Sequence, residues 1–244
     1  MISIEGLVKN YGKKQVLKGV SLEVPQGGLF GFVGVNGAGK STLMKCLLQF
    51  VSPQSGRIAI DGKSIFEFPA YKKRLGYLPE VFQPPLDLRC GEFLNYCGEL
   101  SRGKACSPQE IESLLKRVGL PGQKQALIRH LSKGMRQRLG LAQTLVHGPR
   151  LLILDEPFSG LDPIGRHELK ELLRSLHGDG MTIFFSSHNL TEIQDLCTHL
   201  AILHAGLLQA TAKVADLLTQ HRETNLENVF LKLVGSSREG AALA

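Results

Sequence analysis

Between the apolar run Leu29–Val33 and a helical pattern over residues 40–50 stands Gly34-Val35-Asn36-Gly37-Ala38-Gly39-Lys40-Ser41, which reads G-x-x-x-x-G-K-S. Each residue type suits the holding of phosphate. Gly34, Gly37 and Gly39 permit backbone angles closed to other residues, and without side chains they let successive N–H groups face an anion. Lys40 adds a point charge for β- and γ-phosphates, and the Ser41 hydroxyl can take a place on Mg²⁺. The helix that follows turns the positive end of its dipole to the same place. The expected phosphate-binding set is Gly34, Asn36, Gly37, Ala38, Gly39, Lys40, Ser41 and Thr42. A second group lies at Asp155-Glu156, directly after the apolar run Leu151–Leu154. Carboxylates at the C-terminal end of a buried strand stand where α/β sheets place ligands. There Asp155 would hold Mg²⁺ through water, and Glu156 would orient and partly deprotonate the water that attacks a γ-phosphate.

The elements that must position these groups are legible from periodicity. Residues 29–33 and 151–154 read as strands buried on both faces, and Thr182-Ile183-Phe184-Phe185 and Leu200-Ala201-Ile202-Leu203 repeat the pattern with helical stretches between. Such alternation implies a mainly parallel sheet. Shorter alternating stretches, Ile2-Ser3-Ile4, Val20-Ser21-Leu22-Glu23-Val24 and Arg57-Ile58-Ala59-Ile60, imply an antiparallel layer in the N-terminal part. Over about 86–147 strand signals vanish and Ile111, Leu114, Leu115 and Val118 recur at helical spacing, which marks an inserted helical subdomain. Leu226, Val229, Phe230 and Leu233 mark one face of a short closing helix, after which 235–244 reads as a flexible tail.

Composition narrows the classes. The 244 residues suit one large α/β domain with insertions, here over 1–234. Hydrophobic residues at 43% and charged residues at 21% are ordinary globular usage, and no window approaches the roughly eighteen apolar residues of a membrane span. Met1-Ile2-Ser3-Ile4-Glu5-Gly6 lacks the basic-then-apolar pattern of a secretory signal, so a cytoplasmic chain is expected. Cys46, Cys90, Cys97, Cys106 and Cys197 form no C-x-x-C pair, which argues against a disulfide framework or a zinc site. The net charge of +7 could favour nucleic acid, an anionic membrane or nucleotide phosphates. The basic groups Lys72-Lys73-Arg74 and Arg136, Arg138 lack interleaved aromatics for base stacking, so no direct nucleic-acid binding is expected.

The run Leu131-Ser132-Lys133-Gly134-Met135-Arg136-Gln137-Arg138 opens a helix that stops near His147-Gly148-Pro149. This run, upstream of Asp155-Glu156, resembles the signature motif of ATP-binding cassette (ABC) ATPases, and the resemblance extends over about residues 2–233. It implies the ABC ATPase fold: a P-loop NTPase core, an N-terminal antiparallel β subdomain and an inserted helical subdomain. It also implies that Tyr11 stacks on adenine, that Ser159-Gly160-Leu161-Asp162 forms the D-loop with Asp162 at the nucleotide, and that His188 is the switch histidine. Ser132 and Gly134 would bind the γ-phosphate of a second cassette facing head to tail, so a dimer sandwiching two ATP molecules is implied. Where the family carries a glutamine on Mg²⁺, Gly76-Tyr77-Leu78-Pro79-Glu80 presents Glu80, and the signature has Lys133 and Met135 where Gly and Gln are commonest. These variants, with Leu226-Glu227-Asn228-Val229-Phe230, resemble cassettes that serve ABC-2-type exporters.

The resemblance implies an ATPase at the cytoplasmic face of the membrane, driving export through separate membrane-spanning permease subunits, with 81–93 as the docking segment. A soluble cassette acting on DNA or ribosomes is the alternative. The long coiled-coil insertions of the first type and the paired cassettes of the second do not occur in this sequence. A P-loop kinase would leave the signature run and His188 unexplained.

Overall fold

The computed structural model describes the backbone of residues 1–241 and the side chains of residues 1–235. In chain order the elements are β1 (Ile2–Tyr11), β2 (Lys14–Val24), β3 (Leu29–Val33), α1 (Lys40–Leu47), β4 (Ser55–Ile60), β5 (Lys63–Ser64) and β6 (Leu75–Leu78). The helices α2 (Cys90–Arg102), α3 (Pro108–Arg117) and α4 (Lys133–Leu145) precede β7 (Leu151–Leu154), α5 (Pro163–Gly178), β8 (Thr182–Ser187) and α6 (Leu190–Leu196). The chain closes with β9 (His199–His204), β10 (Leu207–Lys213), α7 (Val214–His221) and α8 (Leu226–Ala241). Two compact units result: one of Met1–Pro69 with the chain from Thr182 onward, the other Ala70–Met181.

The first unit holds the expected antiparallel layer, in the order β2-β1-β4-β5, beside a second group of strands, β10-β9-β3-β8. Its strands β8, β3 and β9 are mutually parallel. All five residues of β3 are buried, as its unbroken apolar run requires of a central strand. Phe30 and Phe32 both pack on Phe184, with ring centroids 5.7 and 5.6 Å apart. In β2, by contrast, Leu17, Val20, Leu22 and Val24 are buried between exposed neighbours, the pattern of a layer with one wet face.

The second unit pairs β6 with β7 in parallel and packs α2, α3 and α4 against one another within the stretch expected to be helical. Ser107 caps α3 by accepting from the Glu110 N–H at 3.1 Å, Pro108 pre-sets its first turn, and Ile111 and Leu115 face inward. Arg138 of α4 pairs with Glu168 of α5.

Three expectations needed correction. The helix expected over 40–50 ends at Leu47, because Gln49 takes a left-handed φ of +59° and its side chain donates to the Ile65 carbonyl at 2.8 Å. Residues 207–213, which carried no strand reading, form β10, an antiparallel edge against β9 with mixed exposure that blurs its alternation. The last helix continues through Gly235 to Ala241, so most of the stretch expected to be a flexible tail is helical; residues 242–244 lie outside the described residues. Its start behaves as expected, with Leu226 and Val229 buried. All five cysteines are unbridged, and burial raises the Cys197 thiol well above its ordinary value, which makes it inert.

Candidate nucleotide site

The first unit brings the phosphate loop and His188 to the same ends of neighbouring strands. Val33 pairs with Ser187 across the parallel β3–β8 ladder, so Gly34 and His188 leave the sheet at equal height. On the other side Val33 pairs with Ile202 of β9. Carboxyl ends of parallel strands are where such sheets bind ligands.

Along the loop, Val35, Asn36 and Gly37 are exposed, whereas Ala38, Gly39 and Lys40 are buried. The Lys40 ammonium donates to the Gly34 carbonyl at 2.6 Å, so the lysine lies across the concavity of its own loop. A Cβ at Gly34 would stand 2.3 Å from the Leu203 carbonyl oxygen, and only glycine fits there. Gly37 and Gly39 take φ of +80° and +114°. The back of the loop is tied to the β9–β10 turn by the Gly206 N–H, which donates to the Ala38 carbonyl at 3.1 Å. Ser41 and Thr42 fall in the first turn of α1, which carries no acidic residue to repel an anion.

Tyr11 ends β1 and is 47% exposed, with the Lys9 ammonium 5.1 Å from its ring centroid. Lys9 is itself held by the Ser52 carbonyl at 2.6 Å, which leaves an anchored aromatic face available for stacking. His188 is exposed between two committed neighbours. The Ser187 hydroxyl accepts from the Asn189 N–H at 3.0 Å and donates to Glu192 at 2.9 Å. Asn189 caps α6 by accepting from the N–H groups of Thr191 and Glu192 at 3.0 and 3.3 Å.

The second unit carries the acids. Asp155 and Glu156 are only 5% and 8% exposed at the end of β7, and the Asp155 N–H continues the ladder to the Leu78 carbonyl at 2.9 Å. Glu156 takes φ of +47°, a left-handed conformation unusual for a residue with a side chain. Strain of that kind, of order 1–3 kcal/mol, persists where the surroundings over-determine it and clusters at functional sites. Exposed Glu80 and buried Asp155 both act on Tyr77: burial above all, then the two negative charges, push its phenol up to about 12.

Ser132 caps α4, accepting from the Met135 N–H at 3.2 Å, and Asp162 caps α5, accepting from the Gly165 N–H at 2.8 Å. Each cap is worth about 1 kcal/mol, so both residues have a structural role whatever else they do. Gly134 differs. A Cβ there would meet nothing nearer than Leu161 Cδ2 at 3.6 Å and Ser132 Oγ at 4.0 Å, so the described chain does not itself demand glycine.

Reading the sequence missed three contacts at these sites. Gln137 is buried and donates from its amide to the Pro157 carbonyl at 3.1 Å, pinning α4 to the turn after Glu156. The exposed Lys133 side chain lies directly over Gly160, whose φ of +68° favours glycine. Glu192 is the third. A polar residue on an apolar helix face was the available signal for Gln137 and Glu192.

Among the described residues no cluster of three or more His, Cys, Asp or Glu could hold a metal by itself. Mg²⁺ takes a few protein oxygens, commonly one or two carboxylates among them, and completes its shell with phosphate oxygens and water. A hydroxyl at Ser41 and a carboxylate at Asp155 are donors of that kind.

A phosphate loop between a buried parallel strand and a helix defines an α/β nucleotide-binding domain. The family model described as "ABC transporter" matches residues 17–159. The lantibiotic transport ATP-binding protein SrtF of Streptococcus pyogenes is 38% identical over 206 residues, covering 84% of this chain and 88% of that protein. The bacitracin transport ATP-binding protein BcrA of Enterococcus faecalis is 37% identical, covering 91% of this chain and 72% of that protein. An ABC transporter ATP-binding protein of Synechocystis is 42% identical over 84% of this chain, which spans only 59% of that relative's length. A solved structure described as the ATP-binding subunit of an ABC transporter superposes with a TM-score of 0.85 and 29% identity, covering 96% of this chain and 99% of that one. The chain therefore belongs to the ABC transporter family, as an ATP-binding cassette of the kind that hydrolyses ATP to power transport.

Proposed function

We propose that this chain is the ATP-hydrolysing subunit of an exporter, docked at the cytoplasmic face of a membrane on separate membrane-spanning permease subunits and working with a second cassette chain, most simply another copy of itself. The observation that carries the reading is the Val33–Ser187 register, which sets the phosphate loop and His188 at one level of a parallel sheet. Tyr11 stacks on the adenine of ATP; Lys40 and the loop from Gly34 through Thr42 bind its phosphates. Ser41 and Asp155 would hold Mg²⁺, and Glu80 would supply a further oxygen ligand. When bound, the metal neutralises charge on the β- and γ-phosphates. Glu156 accepts a proton from the attacking water, and His188 orients that water and the γ-phosphate. Ser132 and Gly134 close on the γ-phosphate held by the other chain, and Asp162 borders the same nucleotide. The clearance around Gly134 supports this, since a ligand or second chain lying there would account for a glycine that the chain alone does not need.

Export is supported by the names of relatives, which include transport proteins for a lantibiotic and for bacitracin and a Nod factor export ATP-binding protein of Ralstonia nicotianae. Among the described residues no helix is long and apolar enough to cross a membrane, which suits a motor whose channel is another chain. Exposed Val81 and Leu86 lie in the segment proposed to dock on the permease. Purification of the chain from its native membrane tests the whole reading. It should bring down a hydrophobic, membrane-spanning protein that crosslinks to cysteines placed at Val81 and Leu86. Recovery without such a partner, or crosslinks only elsewhere, would contradict it.

A further inference from the structure

Glu192 is a carboxyl-bearing residue only 4% exposed, one turn beyond His188, and none of the roles proposed above uses it. Burying such a group is unfavourable unless hydrogen bonds hold it. Here the Glu192 carboxyl accepts from the Ser187 hydroxyl at 2.9 Å, and that hydroxyl, buried with it, accepts in turn from the Asn189 N–H at 3.0 Å. The two residues flanking His188 are thereby bonded to each other, and one of them is anchored in α6. Ser187 is also the partner of Val33, the last residue before the phosphate loop.

We infer that Glu192 is a positioning residue for His188: through the Ser187 hydroxyl it fixes the turn from β8 into α6 and with it the direction in which the imidazole leaves the strand. The inference rests on the role proposed for His188. A displacement of about 1 Å in a positioned group is enough to cost on the order of 10²-fold in rate, whereas ATP affinity, carried by the phosphate loop and Tyr11, is left alone. Any acceptor at the position of the Glu192 carboxyl restores the Ser187 bond, so charge is not what matters.

The test uses the full-length chain and compares E192A, S187A and E192Q with H188A, reading kcat, ATP affinity, melting temperature and the NMR shifts of the His188 ring protons. E192A and S187A should lose about 10- to 100-fold in kcat, bind ATP within about threefold of the parent, and shift the His188 resonances. E192Q, whose side-chain carbonyl accepts the same bond, should restore both rate and resonances. Parental turnover in E192A while H188A is inactive would overturn the inference and leave the reading of His188 intact. Equal loss of rate and melting temperature in E192A and E192Q, with His188 resonances unmoved, would also overturn it and make Glu192 a structural acid. Parental turnover in H188A would remove the reading of His188 and the inference together.

Discussion

Replacing Gly134 by alanine separates what the chain needs in order to fold from what it needs in order to work. Gly134 is the second residue of α4, and the nearest atoms to an added Cβ are Leu161 Cδ2 at 3.6 Å and Ser132 Oγ at 4.0 Å, ordinary van der Waals distances. Alanine therefore fits, and the smaller conformational freedom of the unfolded chain should stabilise the protein by about 0.4–1 kcal/mol. For a chain of this size that is a rise in melting temperature of about 1–4 °C. If the γ-phosphate on a second cassette packs on Gly134, the same methyl is an overpacked contact costing about 1–3 kcal/mol, which slows hydrolysis about 5- to 150-fold. Steady-state phosphate release beside a thermal melt reads both quantities. Unchanged turnover in a stabilised protein would refute the claim that anything closes on this helix end. A fall in both would mean that the fold itself requires the glycine, against the clearance measured around it.

Other substitutions probe other parts. Gly34→Ala forces a Cβ to within 2.3 Å of the Leu203 carbonyl and should lower the melting temperature as well as ATP affinity; a stable variant with parental affinity would count against the packed loop. Lys40→Ala should lose nucleotide affinity without unfolding, measured by calorimetric titration with ATP, and normal binding would remove the role given to the ammonium. Burial, and to a lesser degree the Arg102 charge, lower the His147 pKa, partly offset by its contact with the Leu75 carbonyl at 3.0 Å. The folded chain then binds fewer protons than the unfolded one below the ordinary histidine value of about 6.5. This group therefore contributes a loss of stability as pH falls from there toward its folded pKa. Denaturant melts of His147→Gln should show a shallower acid slope than the parent, and identical slopes would contradict the assignment.

Much of the fold was legible because its period is simple. The buried runs at 29–33 and 151–154 carry no polar side chain and 183–185 repeats the pattern, as strands in the core of a parallel sheet do. The phosphate loop was equally plain, since its glycines, lysine and serine are contiguous. What sequence could not supply were bonds between residues far apart in the chain or hidden by composition. The strand β10 went unseen because its side chains are largely half-exposed and its pairing comes from β9 rather than from its own alternation. The helix α1 stopped early for a reason local in space and not in sequence, the bond from Gln49 to the Ile65 carbonyl. The left-handed backbone of Glu156 and the burial of Glu192 are likewise properties of the folded surroundings, since neither residue type prefers them. For Ser132 and Asp162, the structure supplies a helix-capping role that spacing alone could not separate from a role at the nucleotide.

The most direct test of the account is ATP turnover by Glu156→Gln, with bound nucleotide and oligomeric state followed on the same sample. The variant should bind ATP as the parent does, hydrolyse it at least ~10²-fold more slowly, and accumulate as an ATP-loaded dimer by light scattering. Hydrolysis at the parental rate would contradict the assignment of Glu156 as the group that activates water, and an ATP-loaded variant that stays monomeric would contradict the central claim that two cassettes work together.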